Sequence, residues 1–148
     1  MSGTTIRWGW LRFMYIYTIV GAGGFGLGML LAPNLTKSLF AMPDRDPVVF
    51  GVAGSVYVSF GILSIIGLRA PLKCVPVLLM QLSYKSIWFV TVFLPLLLAG
   101  KLQVHGTLFA IVFATYIIGD LIAIPFSYIF GKQSNQTDSM QTLGSVTE

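Results

Sequence analysis

Charge is the scarcest feature of this 148-residue sequence. Only 9% of the residues are Asp, Glu, Lys or Arg and 55% are hydrophobic, whereas a soluble domain usually carries about 25% charged residues. The mean hydropathy is +0.83. A surface with so little charge is not adapted to water, so the composition predicts an integral membrane protein.

Cysteine and histidine occur once each, as Cys74 and His105. One cysteine excludes an intrachain disulfide and a cysteine-based metal or iron–sulfur site. One histidine, placed in a loop, excludes bis-histidine haem ligation within the chain and a Ser–His–Asp set inside the membrane. We therefore predict no metal site and assign no catalytic residue. This inventory favours a non-catalytic role and leaves enzyme activity open.

Long apolar stretches are what the sequence does contain. Four of them run over about 13–32, 48–68, 75–99 and 107–130. A helix needs about 20 apolar residues to cross a hydrocarbon core about 30 Å thick, and none of the four alternates with the period of a β-barrel strand. The pattern predicts an all-α, integral membrane, antiparallel four-helix bundle at 1–130, followed by a polar tail at 131–148.

Prolines mark several predicted helix boundaries and bends. Pro47 suits the start of the second span, while Pro95 and Pro125 are expected to kink the third and fourth. Between the first two spans, the amphipathic segment LTKSLFAM is expected to form a short helix along the membrane interface.

The basic residues predict how the chain crosses the membrane. One side of the predicted topology holds Arg7, Arg12, Arg69, Lys73 and Lys132, and the other holds Lys37, Arg45 and Lys101. Five against three places both termini in the cytoplasm. The basic residues are scattered, which favours contacts with lipid headgroups and predicts no nucleic-acid partner.

Two opposite charges interrupt the spans. Lys85 lies ten residues into the third span, and Asp120 lies ten residues before the predicted end of the fourth. At 1.5 Å per residue, each is about 15 Å from the inner side. An unpaired charge at that depth costs several kcal/mol or more, so we predict that Lys85 and Asp120 are partners. The pair is either a structural clasp that fixes helix register or part of a functional site.

Polar and aromatic side chains fall at the same level. Gln81, Lys85 and Trp88 share one face of the third span, and Tyr116 lies one turn before Asp120. The predicted buried polar or ligand-binding site comprises Lys85, Asp120, Tyr57, Gln81, Tyr84, Tyr116 and Trp88. For the tyrosines and the tryptophan, ordinary packing is the alternative.

Glycines are concentrated in the first span, in the segment GAGGFGLG at 21–28. The segment lacks the preceding strand of a dinucleotide-binding fingerprint, so close helix packing is the better interpretation. The predicted packing residues are Gly21, Gly23, Gly24 and Gly28.

The stretch GVAGSVYVSFGILSIIGLRAPLKCVPVLLMQLSYKSIWF, residues 51–89, resembles the DoxX-like superfamily of small four-helix bacterial membrane proteins. The resemblance is carried by the glycine-rich second span, its GL ending and the short basic turn, which here are Gly54, Gly61, Gly67, Leu68 and Arg69. It implies a four-helix bundle, and some relatives are tied to quinone-linked thiosulfate oxidation or to assembly with redox partners. Tyr57 and Ser55 occupy the region where those proteins often carry an acidic residue.

Three functions are compatible with these features. The first is a module that binds a quinone or a lipid, or that docks onto a larger membrane complex. The second is a proton-coupled small-molecule transporter that works as a homodimer, with Asp120 and Lys85 as its protonation switch. The third is a quinone-linked membrane oxidoreductase that uses Tyr84 or Tyr116 with Lys85 as a proton relay.

Overall fold

The computed structural model of the protein describes residues 6–130. The polar tail predicted at 131–148 lies outside the described residues. Residues 7–124 form one compact unit that contains all four predicted spans. The short helix Phe126–Phe130 belongs to a second unit.

Four helices are long and apolar enough to cross a membrane: Trp8–Leu31 (span 1), Pro47–Arg69 (span 2), Val75–Leu98 (span 3) and Val104–Ala123 (span 4). Every regular element between residues 6 and 130 is helical. The predicted all-α membrane bundle is confirmed.

Spans 1 and 3 each contain a π-helical turn. Span 1 consists of Trp8–Thr18, the π-turn Ile19–Gly23 and Gly24–Leu31, and span 3 consists of Val75–Trp88, the π-turn Phe89–Phe93 and Leu94–Leu98. The second π-turn ends two residues before Pro95, which has no N–H to donate and whose ring crowds the carbonyl one turn earlier. Such turns occur often at functional sites.

The loop between spans 1 and 2 contains the helix Pro33–Leu39, in agreement with the expected interfacial helix. Span 2 begins at Pro47, as predicted, and Asp46 caps it. The Asp46 carboxylate accepts hydrogen bonds from the backbone N–H groups of Val48 and Val49, at 2.8 and 3.1 Å. These bonds satisfy donors that have no partner within the helix.

Span 4 ends at Ala123, whereas the sequence predicted that it continues to Phe130. Proline disfavours helical backbone in the residue before it, and Ile124, which precedes Pro125, is extended with φ −72° and ψ 121°. The helix therefore stops instead of bending through Pro125.

Span 1 packs against spans 2 and 4, and span 3 packs mainly against span 4. Glycines allow spans 1 and 2 to approach closely, because a Cβ added at Gly61 would lie 2.8 Å from Gly23 Cα. One turn further along span 1, a Cβ at Gly26 would lie 2.7 Å from the carbonyl oxygen of Gly54. This contact surface is the glycine seam.

The four glycines predicted to pack lie in different environments. Gly21 leaves room for the Tyr116 hydroxyl, Gly23 lies in the glycine seam, and a Cβ at Gly28 would lie 2.9 Å from Thr36 Oγ1. Gly24 differs from the prediction, because it is exposed and no neighbouring atom lies within 4 Å of an added Cβ. One residue along a helix turns the side-chain position by about 100°, which moves Gly24 off the packed face.

Candidate functional site

Five polar side chains are buried inside the bundle. Every span contributes at least one of them, and each is at most 1% exposed: Thr18, Ser64, Gln81, Lys85 and Asp120. Buried polar groups are expensive unless they are hydrogen-bonded or paired. Their arrangement therefore determines what the interior of this bundle can do.

A hydrogen-bonded chain joins span 3 to span 1. The Lys85 ammonium donates to Gln81 Oε1 at 2.8 Å, and Gln81 Nε2 donates to Thr18 Oγ1 at 3.1 Å. Thr18 in turn donates to the carbonyl oxygen of Met14 at 2.8 Å. Side chains on a helix lean toward its N-terminus, which brings Lys85 onto Gln81 one turn earlier.

Aromatic rings surround the Lys85 ammonium. Its Nζ lies 3.8 Å from the ring centroid of Tyr116, 4.9 Å from that of Tyr84 and 5.7 Å from that of Phe113. The face of an aromatic ring is electrostatically negative, so each ring attracts the cation. These rings and Gln81 stabilise a charge that would otherwise be unpaired in an apolar interior.

Asp120 does not form the predicted direct ion pair with Lys85. Within residues 6–130 the ion pair closer than 4.0 Å is Lys37–Asp44, in the loop region. Both Asp120 carboxylate oxygens are buried without a hydrogen-bond partner. The two charges still act on each other electrostatically.

The position of the end of span 4 explains this difference. Because span 4 ends at Ala123, Asp120 lies three residues from that end, about 4.5 Å along the axis. Lys85 remains about 15 Å from the start of span 3. The predicted pair was based on equal distances from the helix ends, and the earlier end of span 4 removes that basis.

A cavity of about 160 Å³ opens beside Lys85. Four tyrosines and four phenylalanines contribute to its wall: Tyr17, Phe25, Phe40, Tyr57, Tyr84, Phe109, Phe113 and Tyr116. Gly21, Ala22, Val112 and Lys85 complete it. Lys85 is the single charged residue among these, so the cavity is apolar with one cationic point.

A second cavity, of about 210 Å³, shares part of this wall. It is lined by Tyr57, Tyr84, Trp88, Phe109 and Phe113. The two cavities have four residues in common, which makes the shared aromatic side chains a partition between them.

The hydroxyl groups of the cavity tyrosines differ in their bonding. Tyr116 donates to the carbonyl oxygen of Tyr17 at 3.0 Å, and the Tyr17 hydroxyl lies 2.8 Å from Thr115 Oγ1. The buried Tyr84 hydroxyl makes no hydrogen bond of good geometry, and the Tyr57 hydroxyl beside it is its hydrogen-bonding neighbour. Lys85, Tyr57 and Tyr84 are therefore the donors in the cavity wall with capacity for a ligand.

The structure brings most of the sequence-predicted site together. Lys85, Tyr57, Tyr84 and Tyr116 line the first cavity, and Trp88 lines the second. Gln81 and Asp120 line neither of the two. They are fully buried parts of the polar interior.

Sequence reasoning missed five aromatic residues of the first cavity's wall, which are Tyr17, Phe25, Phe40, Phe109 and Phe113. On span 4, Phe109, Phe113 and Tyr116 follow one another at helical spacing and lead to Asp120. On span 1, Tyr17 and Phe25 lie two turns apart, with Gly21 between them. This periodicity was visible in the sequence and would have placed the four missed residues of spans 1 and 4 on the cavity-facing sides of their helices, together with the predicted Tyr116.

The chain matches no protein-family model, no curated protein and no solved structure. The resemblance to the DoxX-like superfamily is neither supported nor contradicted by these comparisons, and it stays a hypothesis.

Proposed function

We propose that the protein binds a hydrophobic small molecule, a quinone or a lipid, in the cavity beside Lys85 and serves as a binding or accessory module in the membrane. The observation that carries this proposal is the aromatic cavity of about 160 Å³ with one buried cation in its wall. Ligand sites are typically apolar concavities with a few convergent polar groups.

The chemistry of the wall favours a ligand with an apolar body and an oxygen acceptor. Aromatic faces and edges pack well against flat or chain-like apolar groups. Lys85 and Tyr84 supply donors for a carbonyl, ester or acid oxygen. In an apolar environment such bonds are worth more than in water, so two donors are enough to orient a ligand.

Access from the bilayer supports a hydrophobic ligand. Val112 on span 4 belongs to the cavity wall and is 39% exposed. A molecule dissolved in the hydrocarbon region can reach the cavity beside this residue without crossing an aqueous phase.

A cavity-filling variant tests the proposal. Val112→Phe enlarges a side chain in the wall, and Ile111→Phe makes a similar change at a neighbouring residue that is 60% exposed and lines neither cavity. Native mass spectrometry from mild detergent should find the same small molecule on the unmodified protein and on Ile111→Phe. We expect Val112→Phe to lose it.

Retention of the same molecule by Val112→Phe would place the ligand elsewhere. Absence of any bound molecule from all three proteins would contradict a binding module. The same spectra report partner subunits, which distinguish an accessory subunit from an independent binder.

The second candidate function is proton-coupled transport by a homodimer. It is favoured by the Asp120 carboxylate, which is fully buried and has no hydrogen-bond partner. Intramembrane carboxylates of this kind commonly carry protons. Four spans are few for a carrier, so the transport hypothesis requires that native mass spectra show a dimer.

We also propose kinship with the DoxX-like superfamily, location in a bacterial inner membrane and cytoplasmic termini. The support for these proposals is the sequence resemblance at 51–89 and the distribution of basic residues.

A further inference from the structure

The cavity and the buried carboxylate are linked by charge. Lys85 lines the cavity. Asp120 does not belong to the cavity wall and makes no ion-pair contact within residues 6–130. In a low-dielectric interior these charges interact strongly over several ångströms. What binds at Lys85 therefore changes the free energy of the charge on Asp120.

The ligand-free interior is close to electrical neutrality. The net charge of Lys85 and Asp120 is zero when both side chains are charged. It is also zero when the proton has passed from the ammonium to the carboxylate and both are neutral. An anion placed beside Lys85 would bring the net charge of the two residues and the anion to −1. Uncompensated charge in an apolar interior is costly, and one proton on Asp120 restores neutrality.

We propose that the cavity takes an anionic amphiphile, an apolar molecule carrying one negative charge, and that Asp120 gains one proton from solution when this molecule binds. The inference rests on the proposed binding function and specifies its ligand class. The ammonium stays with the ligand anion, and Asp120 becomes the neutral acid.

Other ionisable groups near Asp120 do not replace it in this role. They are Tyr15 on span 1, Tyr84 and Lys85 on span 3 and Tyr116 on span 4, with Tyr57 on span 2 beside Tyr84 and Cys74 beside Tyr15. Free tyrosines ionise near about pH 10 and free cysteines near about pH 8.5. Comparison with Asp120→Asn therefore shows whether the proton taken up with the anion belongs to the Lys85–Asp120 pair.

Two matched probes test the ligand class in lipid nanodiscs. 2-Naphthoate carries an aromatic body with one negative charge, and 2-acetylnaphthalene has a similar body with a neutral carbonyl. Titration calorimetry in two buffers of different ionisation enthalpy counts the protons taken up, and empty nanodiscs provide the partition blank. We expect 2-naphthoate to bind with uptake of about one proton, and its affinity to fall by up to about tenfold per pH unit as Asp120 of the free protein deprotonates.

Variants assign the two charges. Lys85→Met should weaken 2-naphthoate binding by about tenfold or more, because it removes the cation. Asp120→Asn should bind 2-naphthoate without proton uptake and without the pH dependence. Lys101→Met, which removes an exposed loop cation, should behave like the unmodified protein.

The outcomes separate this inference from the proposed function. Binding of 2-naphthoate to the unmodified protein without proton uptake overturns the inference, and this measurement does not depend on how any variant folds. Binding of 2-acetylnaphthalene alone also overturns it and leaves the binding function standing. If neither probe binds, the inference fails, and the native mass spectra decide the binding function separately.

Discussion

At the scale of single residues, Lys85 shows how a buried cation can be stabilised without a carboxylate. One amide oxygen at 2.8 Å and three aromatic rings surround its ammonium. This arrangement leaves the cation available at the wall of a cavity. A direct bond to Asp120 would have neutralised it and removed its attraction for a ligand.

Gly61 is the residue at which a single methyl group should matter most. A Cβ there would lie 2.8 Å from Gly23 Cα, and backbone atoms cannot move aside as a flexible side chain can. We expect Gly61→Ala to destabilise the bundle by about 1–3 kcal/mol, the usual cost of overpacking. Thermal unfolding in detergent, followed by circular dichroism, measures the change.

Gly51→Ala is the matched control on the same helix, because no neighbouring atom lies within 4 Å of an added Cβ. It should be neutral or stabilising by up to about 1 kcal/mol, from the better helix propensity of alanine. Equal midpoints for the two variants would show that spans 1 and 2 do not meet as closely as Gly23 and Gly61 indicate.

The glycines also show what the sequence could predict at this scale. Richness in glycine predicted close packing of span 1, and Gly23 and Gly26 provide it. Which glycines face the partner depends on helix rotation, and sequence alone left that undefined. Gly24 was therefore included, and Gly26, whose added Cβ would meet Gly54 and Val58 backbone atoms, was not.

At the scale of elements, the ends of the helices determine where the charged residues lie. Hydropathy placed the end of span 4 at Phe130, because the residues after Pro125 are apolar too. The backbone restriction imposed by Pro125 ends the helix at Ala123 instead. Seven residues of error in one boundary were enough to predict a direct ion pair between Lys85 and Asp120, which remain electrostatic neighbours without that contact.

Asp46 is the residue that fixes the start of span 2. Its carboxylate accepts two backbone N–H groups, so Asp46→Ala leaves both donors without that partner. We expect a loss of about 1 kcal/mol in the free energy of unfolding, the usual cost of removing an N-cap. The thermal midpoint in detergent should fall accordingly.

Asp44→Ala provides the control in the same loop. Asp44 is fully exposed in its ion pair with Lys37 at 3.3 Å, and such surface pairs contribute little. No measurable change in midpoint is expected. A larger loss for Asp44→Ala than for Asp46→Ala would contradict the assignment of Asp46 as the cap.

At the scale of the whole molecule, the proposed topology follows from basic residues at the ends of the spans. Five Lys and Arg residues on one side and three on the other favour cytoplasmic termini. In a bacterial host, a fluorescent protein fused after Glu148 should fluoresce, and alkaline phosphatase fused there should be inactive. Phosphatase inserted after Arg45, in the loop between spans 1 and 2, should be active.

The opposite pattern of fusion activities would show that the protein has the reverse orientation, with the start of span 3 on the outer side of the membrane. It would not change the bundle itself. A mixed pattern at one fusion point would contradict a single topology.

The fold was more predictable than the site for a physical reason. Crossing a bilayer imposes length and hydropathy on each helix, and those properties are local in the sequence. The site depends on which faces of four helices meet, and this is a property of the assembled bundle. Thus the burial of Lys85 was foreseen, while its contact with Phe113 across the bundle was not.

The preference of span 3 for span 4 has a consequence for biosynthesis. A nascent chain emerges from the ribosome with its N-terminus first, so spans 1 and 2 can join through the glycine seam before the later helices exist. Span 3 then enters the bilayer with Lys85, a residue whose insertion at a helix centre costs about 2.5–3.5 kcal/mol. Two of the rings that surround its ammonium, Phe113 and Tyr116, are still untranslated at that moment. Synthesis of span 4 thus completes the set of rings around the Lys85 ammonium, and we expect spans 3 and 4 to gain their stability together.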